Sequence, residues 1–180
     1  MTHRRQLLEK NLLYMFSIDS NLEEGREDIG FVPGGLRVNV HSTPHDSRAY
    51  SVAGEAKLLG QKPVSGTIEW GTDFVLARED DLELLDVRFV IRADDGACIE
   101  VEVHGVLAAG PRSFVKIVSE KPKFGTEKAP VDGTLFVAPR CRSGDSRYKW
   151  LSDRQCLGFG QVTLINSVAR QSRLDFWMMD

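Results

Sequence analysis

LELLDVRFVIRADDGACIEVEVHGV, the stretch from Leu82 to Val106, decides the fold. It predicts a β-hairpin, because two segments of alternating character are joined at Asp94-Asp95-Gly96, an acidic turn with the glycine that such turns favour. Pairing about this turn gives one apolar face, made of Ile91 with Ile99, Phe89 with Val101, and Val87 with Val103. The other face is mostly charged and sets Arg92 opposite Cys98, Val90 opposite Glu100, Arg88 opposite Glu102, and Asp86 opposite His104.

Short segments of a similar kind recur along most of the chain. The clearest are Leu12–Ile18, Leu36–His41, Ser113–Val118 and Thr134–Ala138. The polar segments Asn21–Asp28 and Ser42–Arg48 are predicted as loops, and residues 119–133, with two prolines, as a long loop that could act as a lid. Roughly eight to ten short strands with a turn about every 8–12 residues predict an all-β sandwich or barrel.

Composition bounds the class of protein. The chain has 180 residues, 42% hydrophobic and 27% charged, which are ordinary globular values. We expect one domain over residues 1–180, with residues 1–10 as an N-terminal arm or short helix. The net charge of −3 gives no electrostatic reason to expect nucleic acid or an anionic membrane as a partner.

The cysteines indicate the compartment. Cys98, Cys141 and Cys156 are odd in number and widely spaced, so they do not form a disulfide framework, and we expect a cytoplasmic protein. Neither paired metal-ligand spacing nor a dinucleotide-binding motif is found, so we expect no metal and no cofactor. The longest apolar run is far shorter than the roughly 20 residues of a membrane-spanning helix.

Four blocks together resemble a known family. They are IGFVPGGLRV (Ile29–Val38), VSGTIEWGTDF (Val64–Phe74), LLDVRFVIRADDGACIEVEVHGV (Leu84–Val106) and GDSRYKWLSD (Gly144–Asp153). They look like the family catalogued as domain of unknown function 3237, small microbial β-barrel proteins of calycin-like shape. The resemblance implies a single antiparallel β-barrel, calycin- or lipocalin-like, with few short helices and a pocket. It implies no particular reaction.

The charged face of the hairpin is the first candidate site, and two interpretations are open. If the apolar face fills the barrel, the charges are a solvated outer surface. If the charged face lines the lumen, Asp86, Arg88, Glu102 and His104 lie in a low dielectric that shifts their pKa values. The resemblance favours the second interpretation, because an Asp-x-Arg pair belongs to the family's motif.

In that interpretation each charged residue has a role. His104 opposite Asp86 suits general acid–base catalysis, since a carboxylate can orient an imidazole and raise its pKa. Arg88 could clamp a carboxylate or enolate oxygen, with Glu102 beside it in the ligand site. The alternatives are a histidine hydrogen-bonded at a strand end and a simple Arg88–Glu102 ion pair.

Two aromatic groups supply the other ligand-binding candidates. Trp70 and Asp73 could stack on and bind a ring-containing ligand; alternatively, Trp70 lies in the core and Asp73 closes a turn. Tyr148 and Trp150 either line the mouth of the barrel, with Arg140 nearby, or plug one end of it.

The leading hypothesis is a cofactor-independent enzyme that binds a small organic molecule in the barrel lumen. Its chemistry would be proton transfer, as in isomerisation, cyclisation or dehydration of an intermediate of natural-product or aromatic metabolism. One alternative is a lipocalin-like carrier without catalysis. Another is a structural homodimer formed through an apolar sheet face.

Overall fold

The protein is a closed antiparallel β-barrel. The computed structural model describes residues 12–51, 60–119, 131–165 and 168–179. Each of eight strands pairs with its sequence neighbours, and the last pairs with the first. The strands are β1 (Leu12–Val32), β2 (Gly35–Tyr50), β3 (Ser65–Ala77), β4 (Leu82–Ala93), β5 (Cys98–Ala108), β6 (Val131–Arg142), β7 (Cys156–Ile165) and β8 (Val168–Met179). The predicted all-β barrel is confirmed.

Two short helices accompany the barrel. The helix α1 (Ser113–Ser119) lies in the connection between β5 and β6, and a 3-10 helix (Lys149–Leu151) lies between β6 and β7. Within the described ranges no helix has the length and apolar character needed to cross a membrane.

The hairpin of β4 and β5 has the predicted register. Pairing runs without a shift from Leu82 opposite Ala108 to Arg92 opposite Cys98, so every predicted cross-strand pair forms. The turn needs its glycine, because Gly96 has a φ of 87°, a conformation that residues with a side chain rarely adopt. Alternation and turn chemistry therefore determined this register.

The interpretation that places the charged face of the hairpin in the lumen is wrong. Phe89, Ile99 and Val101 are buried inside the barrel, whereas the side chains of Arg88 and His104 are 55% and 51% exposed. Burial of the apolar face removes a large hydrocarbon area from water. Burial of the charged face would instead have required several ions to lose their hydration.

The interior is packed as two apolar clusters. The first lies toward the β4–β5 turn and includes Phe16, Phe89, Ile91, Ile99, Tyr148, Leu151 and Phe176. The second lies toward the opposite end and includes Leu36, Val38, Val75, Leu85, Leu107, Leu135 and Val162.

The first two strands are longer than predicted. The segments Asn21–Asp28 and Ser42–Arg48, predicted as loops, belong to β1 and β2, and both take part in the pairing between these two strands. β1 pairs with β8 only from Leu12 to Asn21, whereas its pairing with β2 continues to Val32. Among the described strands, residues 22–32 therefore have a neighbour on one side only.

The predicted strand Ser113–Val118 is a helix instead. The Asp81 carboxylate accepts hydrogen bonds from the backbone N–H groups of Arg112 (2.7 Å) and Phe114 (3.1 Å), which ties the start of α1 to the β3–β4 turn. Such bonds satisfy the donors that a helix leaves unpaired at its first turn. Phe114 packs against the second cluster, and Val115 is exposed. The predicted N-terminal arm (1–10) and most of the predicted lid (120–130) lie outside the described residues.

Candidate functional site

Three inward-facing residues keep accessible surface at the level between the two clusters. Val87 and Leu174 each pack against both clusters. Their side chains point inward, yet they are only half-buried, as is inward-facing Val40. In a small barrel, an inward residue that keeps accessible surface borders room in the lumen. We call this level the lumen site and define it by Val40, Asp73, Val87 and Leu174.

A bulge in β3 directs Asp73 into the lumen. The register between β3 and β4 shifts between Ile68 and Trp70, and a bulge of this kind exchanges the inward and outward positions that follow it. Asp73 consequently lies opposite Val40 on one side and Val87 on the other, on the same strand face as buried Val75. A carboxyl group is thus held between apolar neighbours.

The Asp73 carboxyl is poised to exchange a proton. Its Oδ1 atom is buried and has no hydrogen-bond partner in the described part of the chain. The pKa of Asp73 is raised to about 7, mainly by burial and also by the charge of Asp86, whereas a hydrogen bond from the Asp86 backbone N–H and the charge of Arg37 oppose the rise. Near neutral pH the group therefore populates both its acidic and its basic form, which general acid–base catalysis requires.

The four charged residues predicted from the hairpin meet on the outer wall. The Glu102 carboxylate lies 3.4 Å from Arg88 Nη2 and 3.1 Å from His104 Nε2. His104 Nδ1 is 3.8 Å from Asp86 Oδ1, and Arg142 Nη2 is 3.3 Å from the second Glu102 oxygen. The hydrogen bond from His104 lowers the pKa of Glu102, and the charges of Arg88 and Arg142 act in the same direction. We call these five residues the outer cluster.

Two other predicted ligand contacts also lie outside the barrel. Trp70 pairs with outward-facing Val90 and is 54% exposed, so it does not line the lumen. Arg140 lies opposite Glu102 on the outer face of β6 and is exposed. The structure therefore separates Trp70 from Asp73, although only three positions divide them in the sequence.

Tyr148 and Trp150 close the turn end of the barrel. Tyr148 is buried in the first cluster and donates a 3.0 Å hydrogen bond to Asp95, and Arg147 and Lys62 pair with the same carboxylate. Burial, followed by the bond to Asp95, raises the pKa of Tyr148 to about 12. Trp150 is half-buried against the first cluster, and its buried Nε1 has no hydrogen-bond partner among the described residues.

The outer wall also carries an apolar pair. Phe136 and Phe159 are 53% and 41% exposed, and their rings meet edge to face with centroids 5.8 Å apart. The homodimer contact expected through an apolar sheet face stays a prediction.

Neither of the two buried thiols nor any metal-binding group within the described ranges offers an alternative site. Burial raises the pKa of Cys141 well above its usual range and that of Cys156 to about 11, which suppresses the nucleophilic thiolate. Over the described ranges, no group of three or more histidine, cysteine or acidic side chains is arranged to hold a metal ion.

Val40, Val87 and Leu174 were not among the predicted site residues. A usable signal exists in β3, because Asp73 alternates with Val75 and Ala77, and an acidic residue on an otherwise apolar strand face is a candidate for function. No such signal marks Val87 or Leu174, which read as ordinary core residues.

Fold and site together define a closed eight-stranded antiparallel barrel with a carboxyl group between two apolar core clusters. A family model described as "Protein of unknown function (DUF3237)" matches residues 12–174, and the chain belongs to this family. The resemblance seen in the four sequence blocks is thereby confirmed.

Similar sequences and solved structures of similar fold are also found. A UPF0311 protein of Rhodopseudomonas palustris strain TIE-1 is 32% identical over 111 residues, which span 59% of this chain and 65% of that relative. The crystal structure of a conserved protein of unknown function from Rhodopseudomonas palustris has a TM-score of 0.69 at 19% identity, covering 94% of this chain and 97% of that one. An enzyme from Penicillium herquei has a TM-score of 0.57 at 19% identity, covering 94% of each chain.

Proposed function

We propose that the protein binds a small organic molecule at the lumen site and that Asp73 transfers a proton to and from it without a cofactor. The single observation that carries the proposal is the Asp73 carboxyl, which lies between apolar residues with one oxygen unpartnered in the described structure and a pKa of about 7. A structural role for Asp73 would have favoured a fully hydrogen-bonded carboxylate.

Isomerisation is the reaction that such a site supports best. The Asp73 carboxylate would remove a proton from a carbon next to a carbonyl group, and the electron pair of that C–H bond would pass into the enolate. The protonated carboxyl would then return the proton to a different carbon of the same molecule. One group suffices for both steps, whereas dehydration and cyclisation usually need an acid and a base at separate positions.

The enzyme from Penicillium herquei supports the proposal at the level of the fold. Its barrel superposes on most of this chain and is described as an enzyme. Its 19% identity carries no information about substrate, and fold likeness alone does not specify a reaction. The proposal therefore rests on Asp73, and the neighbour adds that a barrel of this shape can serve catalysis.

Hydrogen–deuterium exchange tests the proposal without a known substrate. The protein is incubated in D₂O with a panel of neutral ketones and lactones that each carry a hydroxyl group, and loss of the α-proton signal is followed by ¹H NMR. We expect wild-type protein to accelerate exchange in at least one compound, and Asp73→Asn to slow that exchange by roughly 10²- to 10⁴-fold. Glu100→Gln makes the same carboxyl-to-amide change on the outer wall and is expected to leave the rate unchanged.

Two further variants decide between the inner and the outer site. Asp86→Asn and His104→Gln remove the acid–base pair that the sequence suggested. Loss of exchange in these variants, with Asp73→Asn still active, would move the site to the outer cluster. Ligand binding without exchange in any compound would instead favour a lipocalin-like carrier.

A further inference from the structure

We infer that the lumen site selects small organic cations and neutral hydrogen-bond donors with an apolar body, and that it rejects carboxylates and phosphates. This inference rests on the proposed lumen site and adds the chemical class of its ligand. It also reverses the sequence-based expectation that Arg88 clamps an anionic group.

Among the side chains that the structure describes, the charges that point into the barrel are all of one sign. Asp73 and Glu83 occupy inward-facing positions, and Glu83 lies opposite the buried residues Ala77 and Leu107. No lysine, arginine or histidine whose side chain the structure describes points into the lumen. Arg88 and His104 lie on the outer wall, and Arg37 stacks over Phe74 at 5.5 Å on the outward face of β2 and β3.

The unpartnered oxygen of Asp73 indicates what a ligand must offer. Oδ1 is an acceptor when the carboxyl is ionised, and a buried acceptor without a donor is costly. An ammonium or hydroxyl group placed there supplies the missing hydrogen, and an ammonium also neutralises the charge. A carboxylate or phosphate would supply no hydrogen and would set a second negative charge beside the first.

The remaining surface of the site indicates the rest of the ligand. Val40, Val87 and Leu174 offer only hydrocarbon. Apolar walls with one convergent polar group are typical of small-molecule pockets, and the polar group fixes orientation and specificity. The like-charge contact that an anion would meet is a repulsive element of the kind that produces selectivity.

Three probes of equal size and different charge test the inference. Benzylamine, benzyl alcohol and benzoate are titrated into the full-length protein by isothermal calorimetry at about pH 8, where the Asp73 carboxyl is mostly ionised. We expect benzylamine to bind roughly tenfold or more tightly than benzyl alcohol, and benzoate not to bind. Asp73→Asn should abolish the difference between the amine and the alcohol, and Glu100→Gln should preserve it.

Clear results would overturn the inference. Benzoate binding as tightly as benzylamine contradicts it, and so does a preference for the amine that persists in Asp73→Asn. Absence of saturable binding of all three probes contradicts it as well. A thermal melt of each variant confirms folding. The deuterium-exchange test uses neutral compounds only, so its outcome does not depend on charge selectivity. If benzoate binds as tightly as benzylamine while exchange still requires Asp73, the selectivity inference fails and the proposed proton transfer stands. If the amine is preferred but no compound exchanges, the proposed proton transfer fails and the selectivity inference stands.

Discussion

The two faces of one barrel wall shift the pKa values of acidic groups in opposite directions. On the outer face, Glu102 lies within hydrogen-bond or ion-pair distance of Arg88, His104 and Arg142, and its pKa is lowered. On the inner face, two strands away, Asp73 has an unpartnered oxygen within the described structure, and burial raises its pKa to about 7.

This difference in pKa indicates which face of such a barrel is suited to proton transfer. The partners of Glu102 lower its pKa, so this carboxylate stays ionised over the whole neutral range. The Asp73 carboxyl, whose burial outweighs the opposing charge of Arg37, changes state near pH 7 and is available for proton transfer. The richer cluster of polar residues is thus the less suitable site.

The largest change in the free energy of unfolding is expected when a core residue of this wall is replaced. Phe89→Ala removes a buried ring of the first cluster and should lower the free energy of unfolding by about 3–5 kcal/mol. Val90→Ala, one position along on the outer face, should change it by less than about 0.5 kcal/mol. Urea denaturation measures both. Equal losses in the two variants would contradict the assignment of inner and outer faces.

Replacement of Asp73 is expected to raise the free energy of unfolding, by less than the replacement of Phe89 lowers it. Because the pKa of Asp73 is raised in the folded protein, its ionisation opposes folding, and stability is lost as the pH rises from about 4 to about 7. Asp73→Asn stays neutral, so it should be more stable than wild type at about pH 8 by up to about 4 kcal/mol. Denaturation of both proteins across this pH range measures the difference. A difference that does not depend on pH would show that Asp73 is not buried as an acid.

The smallest effect is expected in the outer cluster. The pKa of Glu102 is lowered in the folded protein, so its pairing contributes stability above the unfolded pKa and loses it as the pH falls through the folded pKa. Glu102→Gln should therefore lower the melting temperature slightly at neutral pH, and the difference from wild type should vanish in acid. The difference should also shrink in high salt, because the partners of Glu102 are exposed. A large, salt-independent loss would show that the cluster is shielded from solvent.

Most of the fold could be predicted from the sequence, because its signals are local. The alternation of Val87, Phe89 and Ile91 and the turn at Gly96 were enough to predict the register. The long strands β1 and β2 were missed, since residues 21–28 and 42–48 are polar and pair mainly through the backbone. The helix at Ser113 was missed because its anchor, Asp81, is distant in sequence.

The site could be predicted only in part. Asp73 was predicted as a ligand contact from its aromatic neighbours. Its position in the lumen depends on the bulge between Ile68 and Trp70, and no residue pattern predicted that bulge. The orientation of Asp86 and His104 was wrong because cross-strand pairing is identical whichever face points inward. Which face points inward depends only on whether the free energy gained by burying hydrocarbon exceeds the cost of burying charge.

The unequal pairing of β1 makes the barrel wall unlike at its two ends. Toward the 3-10 helix, β1 is bonded on both sides, and buried Tyr148 and Leu151 close the interior. Beyond Asn21 the described wall is bonded only to β2. Residues 22–32 of β1 are therefore held in the described wall by β2 alone, and β2 is held in turn by β3 from Leu36 to Ser42. The position of this end of β1 consequently depends on the hydrogen bonds between β2 and β3, and not on the pairing that closes the barrel between β1 and β8.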